Sequence, residues 1–214
     1  MRGARCCSLL SEIEFGSYLV YSPRGKTEIS SKSRRICLRI KQDTPPTIQR
    51  VAIKLKEGIA DTTLIEIIGP EVVLVPAPRS PLLPRALWPA RRIAEEMVSA
   101  GLGMKIETCL ARISNVQKSA SSPPGARPSV QEHYQSMKAT PFLGSPARIA
   151  VIDDVVTKGA TLLAACAHVQ EASHAVKGFA LVRTLGLQPE VERVIFPCTG
   201  AIRLNKWGEA ERVP

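Results

Sequence analysis

From about residue 71 onward, short apolar runs alternate with stretches whose apolar residues recur every three or four positions. Glu71 to Ala77 contains Val72-Val73-Leu74-Val75, an unbroken apolar run of the kind that a parallel strand covered on both faces requires. Pro76, Pro78 and Pro81 follow it, and a residue without an amide hydrogen cannot continue a sheet ladder. Residues 89 to 100 predict a helix, with Pro89 near the first turn and Gly101 and Gly103 just past the end. Residues 147 to 152 predict a strand, 153 to 159 a turn, and 161 to 170 a helix of high propensity, rich in Ala and Leu. Val176 to Val182 predicts another strand, and Arg193 to Pro197 a short final one. Strand and helix alternate from 71 to 197, which places the chain in the α/β class, with a mainly parallel sheet flanked by helices.

The first 60 residues carry a different pattern. Tyr18 to Tyr21 is strand-like, Ser22-Pro23-Arg24-Gly25 is a turn signature, and Arg35 to Lys41 alternates basic and apolar residues. That combination predicts one or two β-hairpins between residues 17 and 43. Pro45 and Pro46 mark a break, and Ile48, Val51, Ala52 and Leu55 then predict an amphipathic helix that closes near Gly58. The expected organisation is therefore a small β-rich hood over residues 1–60 and a main domain over 61–214. Inside that domain, residues 114 to 130 are rich in Ser, Pro, Gly and Arg, and a loop of this length in a compact domain is often a functional lid.

The composition sharpens this picture in three respects. Of the 214 residues, 44% are hydrophobic and only 4% aromatic, so the core rests on Val, Ile, Leu and Ala. Lys and Arg number 29 against 19 acids, a net charge of +10. An excess of this kind attracts polyanions, and on charge alone nucleic acid, a diphosphate-bearing metabolite and an anionic membrane all stay open as partners. The six cysteines show no C-x-x-C spacing, so neither a disulfide scaffold nor a structural zinc is expected. The early apolar stretch is too short for a signal peptide, and no segment approaches the apolar length of a membrane span. The expected setting is cytoplasmic, with no membrane partner.

The densest candidate chemistry lies between residues 148 and 170. Adjacent acids, Asp153 and Asp154, stand at the carboxyl end of an apolar strand, where open α/β sheets bind ligands. Thr157, Gly159 and Thr161 then lead into a helix, whose first N–H groups and dipole favour an anion. The threonine hydroxyls add donors, and a glycine lets the backbone approach a phosphate closely. A sugar phosphate satisfies both features, with its phosphate at the helix start and its hydroxyls on the acids.

Val151-Ile152-Asp153-Asp154-Val155-Val156-Thr157-Lys158-Gly159-Ala160-Thr161 resembles the phosphoribosyl-diphosphate motif of type I phosphoribosyltransferases. Lys158 departs from it, standing where a threonine or other small residue is usual; as a point charge it can add to phosphate binding. Val75-Pro76-Ala77-Pro78 resembles the strand end of the ComF-like branch of that family, although the zinc ribbon common at the start of that branch has no counterpart. Arg79 and Ser80 would then meet the diphosphate, and Arg85 resembles an arginine that follows. Leu110-Ala111-Arg112, Gln117-Lys118 and Arg127 resemble the mobile catalytic loop.

The resemblance implies a type I phosphoribosyltransferase fold and a transferase that binds phosphoribosyl diphosphate with Mg²⁺ and passes phosphoribose to a nucleobase or amine. In that reading Asp153 and Asp154 hold the ribose hydroxyls and the Mg²⁺ shell, and residues 155 to 161 hold the 5-phosphate. Arg79, Lys118 and Arg127 attend the leaving diphosphate. The acceptor is unknown; His133 and Tyr134 are minor candidates to face it, and the residues after the last core strand, Arg183 to Leu187, do not name a base. His168 and His174 read as incidental, and Trp88 and Trp207 as core or edge aromatics rather than base-stacking platforms. A non-catalytic regulator, an accessory role in DNA uptake and a homodimer stay open.

Overall fold

The computed structural model describes residues 9–79, 86–116, 128–141, 148–170, 175–186 and 190–213. In chain order the elements are β1 (Glu12–Tyr21), α1 (Glu28–Lys41), α2 (Pro45–Gly58), two 3₁₀ turns (Ile59–Asp61 and Thr63–Glu66), β2 (Val73–Pro76), α3 (Pro89–Ser99) and β3 (Lys105–Ile106). They continue with β4 (Leu110–Arg112), α4 (Val130–Gln135), β5 (Met137–Ala139), β6 (Ile149–Val156), α5 (Ala160–Gln170), β7 (Val176–Thr184), β8 (Ile195–Leu204) and β9 (Ala210–Val213).

Among the described residues, seven strands make one sheet in the order β3-β2-β6-β7-β1-β8-β9, and β4 and β5 pair separately. The first five of these strands run parallel, while β8 and β9 are antiparallel additions at one edge. The two-residue period of a strand sends alternate side chains to opposite layers. In β2, Leu74 packs with Ile48, Leu55, Ile93 and Met97 from α2 and α3. Val73 and Val75 face the other way, onto a layer that holds Leu162, Leu163 and Cys166 of α5. The result is α/β with helices on both faces of a mostly parallel sheet.

The β-rich hood expected over residues 1–60 takes another form. β1 lies inside the main sheet between β7 and β8, and Arg35 to Lys41 belong to helix α1. The buried residues of α1 are Ser30, Ser33, Cys37 and Ile40, a helical stripe in which two members are serines. Thr27 caps this helix by accepting the Ser30 N–H at 3.1 Å, which offsets one orphan donor of the first turn.

Helix α5 has almost no solvent face: Leu162 to Ala167 and Val169 are all buried. It lies between the sheet and a layer made by α4, β4 and β5, as expected of a helix that is apolar all round. Burial of Leu162 and of Leu163 contributes about 1.5–3 kcal/mol each. Gly178 in β7 lets the helix come this close, since a Cβ there would stand 2.7 Å from Leu162 Cδ2.

Candidate functional site

The sheet changes direction between β2 and β6. From β2 the chain passes through α3 to β3 on one side, and from β6 through α5 to β7 on the other. The two helices pack on opposite faces. A crevice opens outside the carboxyl ends of such a strand pair, and open α/β sheets bind ligands there. The residues at this place are Val75 to Arg79 from β2 and Asp153 to Gly159 from β6. The Ala77 N–H donates to Ile152 O at 2.7 Å and ties the two segments together.

Strand β6 runs further than the sequence pattern predicts, through the acids to Val156. Asp153 and Asp154 therefore lie within the strand, with Val155 and Val156 still to follow, rather than in the turn. The Asp153 carboxylate accepts the Asp154 N–H at 2.9 Å, and the Asp154 carboxylate accepts the Val155 N–H at 2.9 Å. Burial, and then the charge of Asp154, hold the Asp153 carboxyl well above the usual carboxylate range. A proton or a cation relieves such a pair.

The turn that follows is shaped by Gly159, at φ +102°. A Cβ here would stand 2.6 Å from Ile202 Cδ1, so both backbone and packing call for glycine. The Leu163 N–H donates to Gly159 O at 2.9 Å and closes the first turn of α5. The N–H groups of Ala160, Thr161 and Leu162 precede that bond, and helix geometry leaves them without intrahelical acceptors. Thr157 Oγ1 lies 3.2 Å from Thr184 Oγ1 at the end of β7. The Lys158 ammonium is engaged by Glu209 at 2.7 Å, so its charge is shared across the loop with the β8–β9 hairpin.

Two further groups border the acids. On one side, Arg112 of β4 is buried, donates to Ser136 Oγ, and lies 3.3 Å from His133 Nδ1. Its charge reaches Asp153 and opposes the rise of that carboxyl. Burial, and next the Arg112 charge, push His133 down to about 4, so its ring is neutral. His133 is thereby committed to Arg112, and Tyr134 stacks on His168 with ring centroids 3.9 Å apart. On the other side runs α1. Ser33 Oγ accepts the Ser22 N–H at the end of β1, and Asp43, just past the helix, pairs with Arg92 of α3. Between these points α1 packs against β6 and brings Cys37 near Asp154; burial first, with Asp154 adding, pushes that thiol up to about 11.

Arg79 begins the loop after β2, and its guanidinium donates to Ala86 O at 3.1 Å, bridging the loop's two ends. Trp88 Nε1 donates to Ala77 O at 2.7 Å and fixes the same corner. Val155 and Val156 continue the β6 ladder opposite Val182 and Arg183, and Ala160 and Thr161 open α5. Ser80, Arg85, Lys118 and Arg127 lie outside the described residues, as does most of the expected lid. Sequence reasoning missed Glu209, which carries no local signal, and met Thr184 only within the stretch Arg183 to Leu187, whose first two residues belong to β7 rather than following it. It met Arg112 only through resemblance.

Among the described residues no helix is long and apolar enough to cross a membrane. No protein-family model matches the chain, and no curated protein matches it.

Proposed function

We propose that this chain binds phosphoribosyl diphosphate with Mg²⁺ at the β6–α5 element and transfers the phosphoribosyl group to a nitrogen nucleophile, releasing diphosphate. The accompanying fold reading is the type I phosphoribosyltransferase fold, in its ComF-like branch. One observation carries the proposal: two adjacent carboxylates at the sheet's switch point are followed, after four residues, by a positive-φ glycine and by the first amides of a helix, which have no intrahelical acceptors. A ribose 5-phosphate is a ligand that needs both.

In this reading the amides of residues 159–162 and the hydroxyls of Thr157 and Thr161 hold the 5-phosphate, and the α5 dipole adds to the attraction. Asp153 and Asp154 accept hydrogen bonds from the ribose hydroxyls. Their paired oxygens are hard donors of the type Mg²⁺ prefers. Among the described residues no third His, Cys, Asp or Glu joins them, so the ion's remaining ligands would come from substrate oxygens and water. When bound, Mg²⁺ neutralises charge on the departing diphosphate. Arg79, with Lys118 or Arg127, binds that group from the loops, and Arg112 counters the negative charge of Asp153 from behind. Positioning and charge stabilisation are the main demands of such a displacement.

The test is diphosphate release from phosphoribosyl diphosphate and Mg²⁺ against a panel of nucleobases and amines. The proposal expects release with at least one acceptor and its loss in Asp153→Asn/Asp154→Asn. Binding without release for any acceptor would replace the transferase with a sensor of the same ligand.

A further inference from the structure

Helices α1 and α2 leave between their outer faces a groove of about 400 Å³, separate from the β6–α5 element. Lys32, Arg35 and Arg39 line it from α1, Arg50 faces them from α2, and Ile36 and Val51 form a half-buried apolar floor. No acidic side chain lines it. Among the described residues none of the four cations takes part in an ion pair, although Lys54 elsewhere on α2, and Arg91, Arg92 and Lys105 on neighbouring elements, all do. Four uncompensated cations on facing walls repel one another, and an anion between them removes that repulsion.

The dimensions select the kind of anion. Lys32, Arg35 and Arg39 follow at i, i+3 and i+7, so the row is about 10 Å long at 1.5 Å per residue. That length suits a short chain of linked phosphates. Glu28 stands beyond one end of the row, in the first turn of α1, and Asp43 beyond the other, just past the helix. Glu28 therefore closes the row at its amino-terminal end, where a track for a long polyanion would continue. The volume lies in the range of small-molecule sites, and the aliphatic floor offers room for a flat ring.

We infer that the α1–α2 groove is a second ligand site, which takes a nucleoside di- or triphosphate with its phosphates on Arg35, Arg39 and Arg50 and its ring on Ile36 and Val51. The site does not depend on the reading of the β6–α5 element. An occupant would press on the outer side of the helix whose inner side carries Cys37 toward Asp154.

The experiment is calorimetric titration of ATP, adenosine, inorganic tripolyphosphate and a twelve-nucleotide single strand into the full chain at fixed salt. The expected order is ATP tightest, tripolyphosphate weaker and adenosine weakest. Arg35→Glu/Arg39→Glu should weaken ATP at least tenfold, Arg50→Ala should weaken it severalfold, and Asp153→Asn/Asp154→Asn should leave it unchanged. All three groove positions are exposed, so unaltered melting curves will show that the variants fold. Absence of ATP binding overturns the inference, as does ATP binding that survives both groove variants. Tighter binding of the single strand through the same arginines would make the groove a nucleic-acid surface and equally overturn it. Loss of ATP in the aspartate variant alone would assign the nucleotide to the β6–α5 element instead.

Discussion

Replacing Gly159 by alanine tests the geometry of the phosphate cradle without changing any charge. The substituted residue must adopt φ near +102°, which costs a non-glycine residue about 1–3 kcal/mol. Its Cβ must also fit where Ile202 Cδ1 and Cγ2 stand only 2.6 and 2.8 Å away. Ile202 is fully buried, so it cannot swing into solvent, and forced repacking costs about 1–3 kcal/mol. The two penalties overlap in part, because a small backbone shift relieves both, and the expected loss is about 3 kcal/mol. For a chain of this size that corresponds to a melting temperature lower by about 6–12 °C. Urea unfolding of Gly159→Ala, Ile202→Ala and the double variant separates the contributions. Ile202→Ala alone should cost about 2–5 kcal/mol for the cavity it leaves, but about 1–2 kcal/mol less in the Gly159→Ala background, where the added methyl occupies that space. A loss below about 0.5 kcal/mol for Gly159→Ala, within the scatter of ordinary surface changes, or an Ile202→Ala cost equal in both backgrounds, would refute the reasoning.

Other consequences follow from the charges around the site. The folded Asp153 holds its proton above the usual carboxylate range, so the native state binds more protons than the unfolded chain, and stability falls as pH rises through that raised value. Asp153→Asn should flatten this loss and raise the melting temperature at pH 8 while abolishing phosphoribosyl-diphosphate binding; a variant less stable than wild type at pH 8 would contradict it. For His133, lowered to about 4, the sign reverses: stability is full above the ordinary histidine value of about 6.5 and is lost as pH falls toward 4. His133→Gln should remove that acid limb in a pH series of thermal melts. Lys158→Thr breaks a half-exposed ion pair worth at most about 1 kcal/mol, so unfolding should shift little, and affinity for phosphoribosyl diphosphate should not fall.

The legible parts of the fold are those where several local signals agree. The Val72 to Val75 run, the Pro89 helix start and the sequence from Ile149 to Gln170 each combine period, propensity and punctuation, and the structure has strand, helix and strand–turn–helix at those places. Helix α1 was not legible, because Arg35 to Lys41 alternates over too few residues to separate a two-residue from a 3.6-residue period. Its buried stripe runs through Ser30 and Ser33, which an apolar count passes over. β8 extends well beyond the short run at Arg193 to Pro197. Pro197 falls where the β1 pairing shifts register between Ser17 and Leu19, beyond the part of β8 that β9 pairs, so a proline is tolerated there. The candidate acids and cradle were legible because their chemistry is contiguous. Arg112, Thr184 and Glu209 were not, since only the fold brings them to the same place.

The most direct test of the central proposal is calorimetric titration of phosphoribosyl diphosphate with Mg²⁺ into the wild-type chain and into Asp153→Asn/Asp154→Asn. One equivalent binding to the wild type, with binding lost in the variant while its fold is retained, is the predicted result. No binding to the wild type, or equal binding to both, would contradict it.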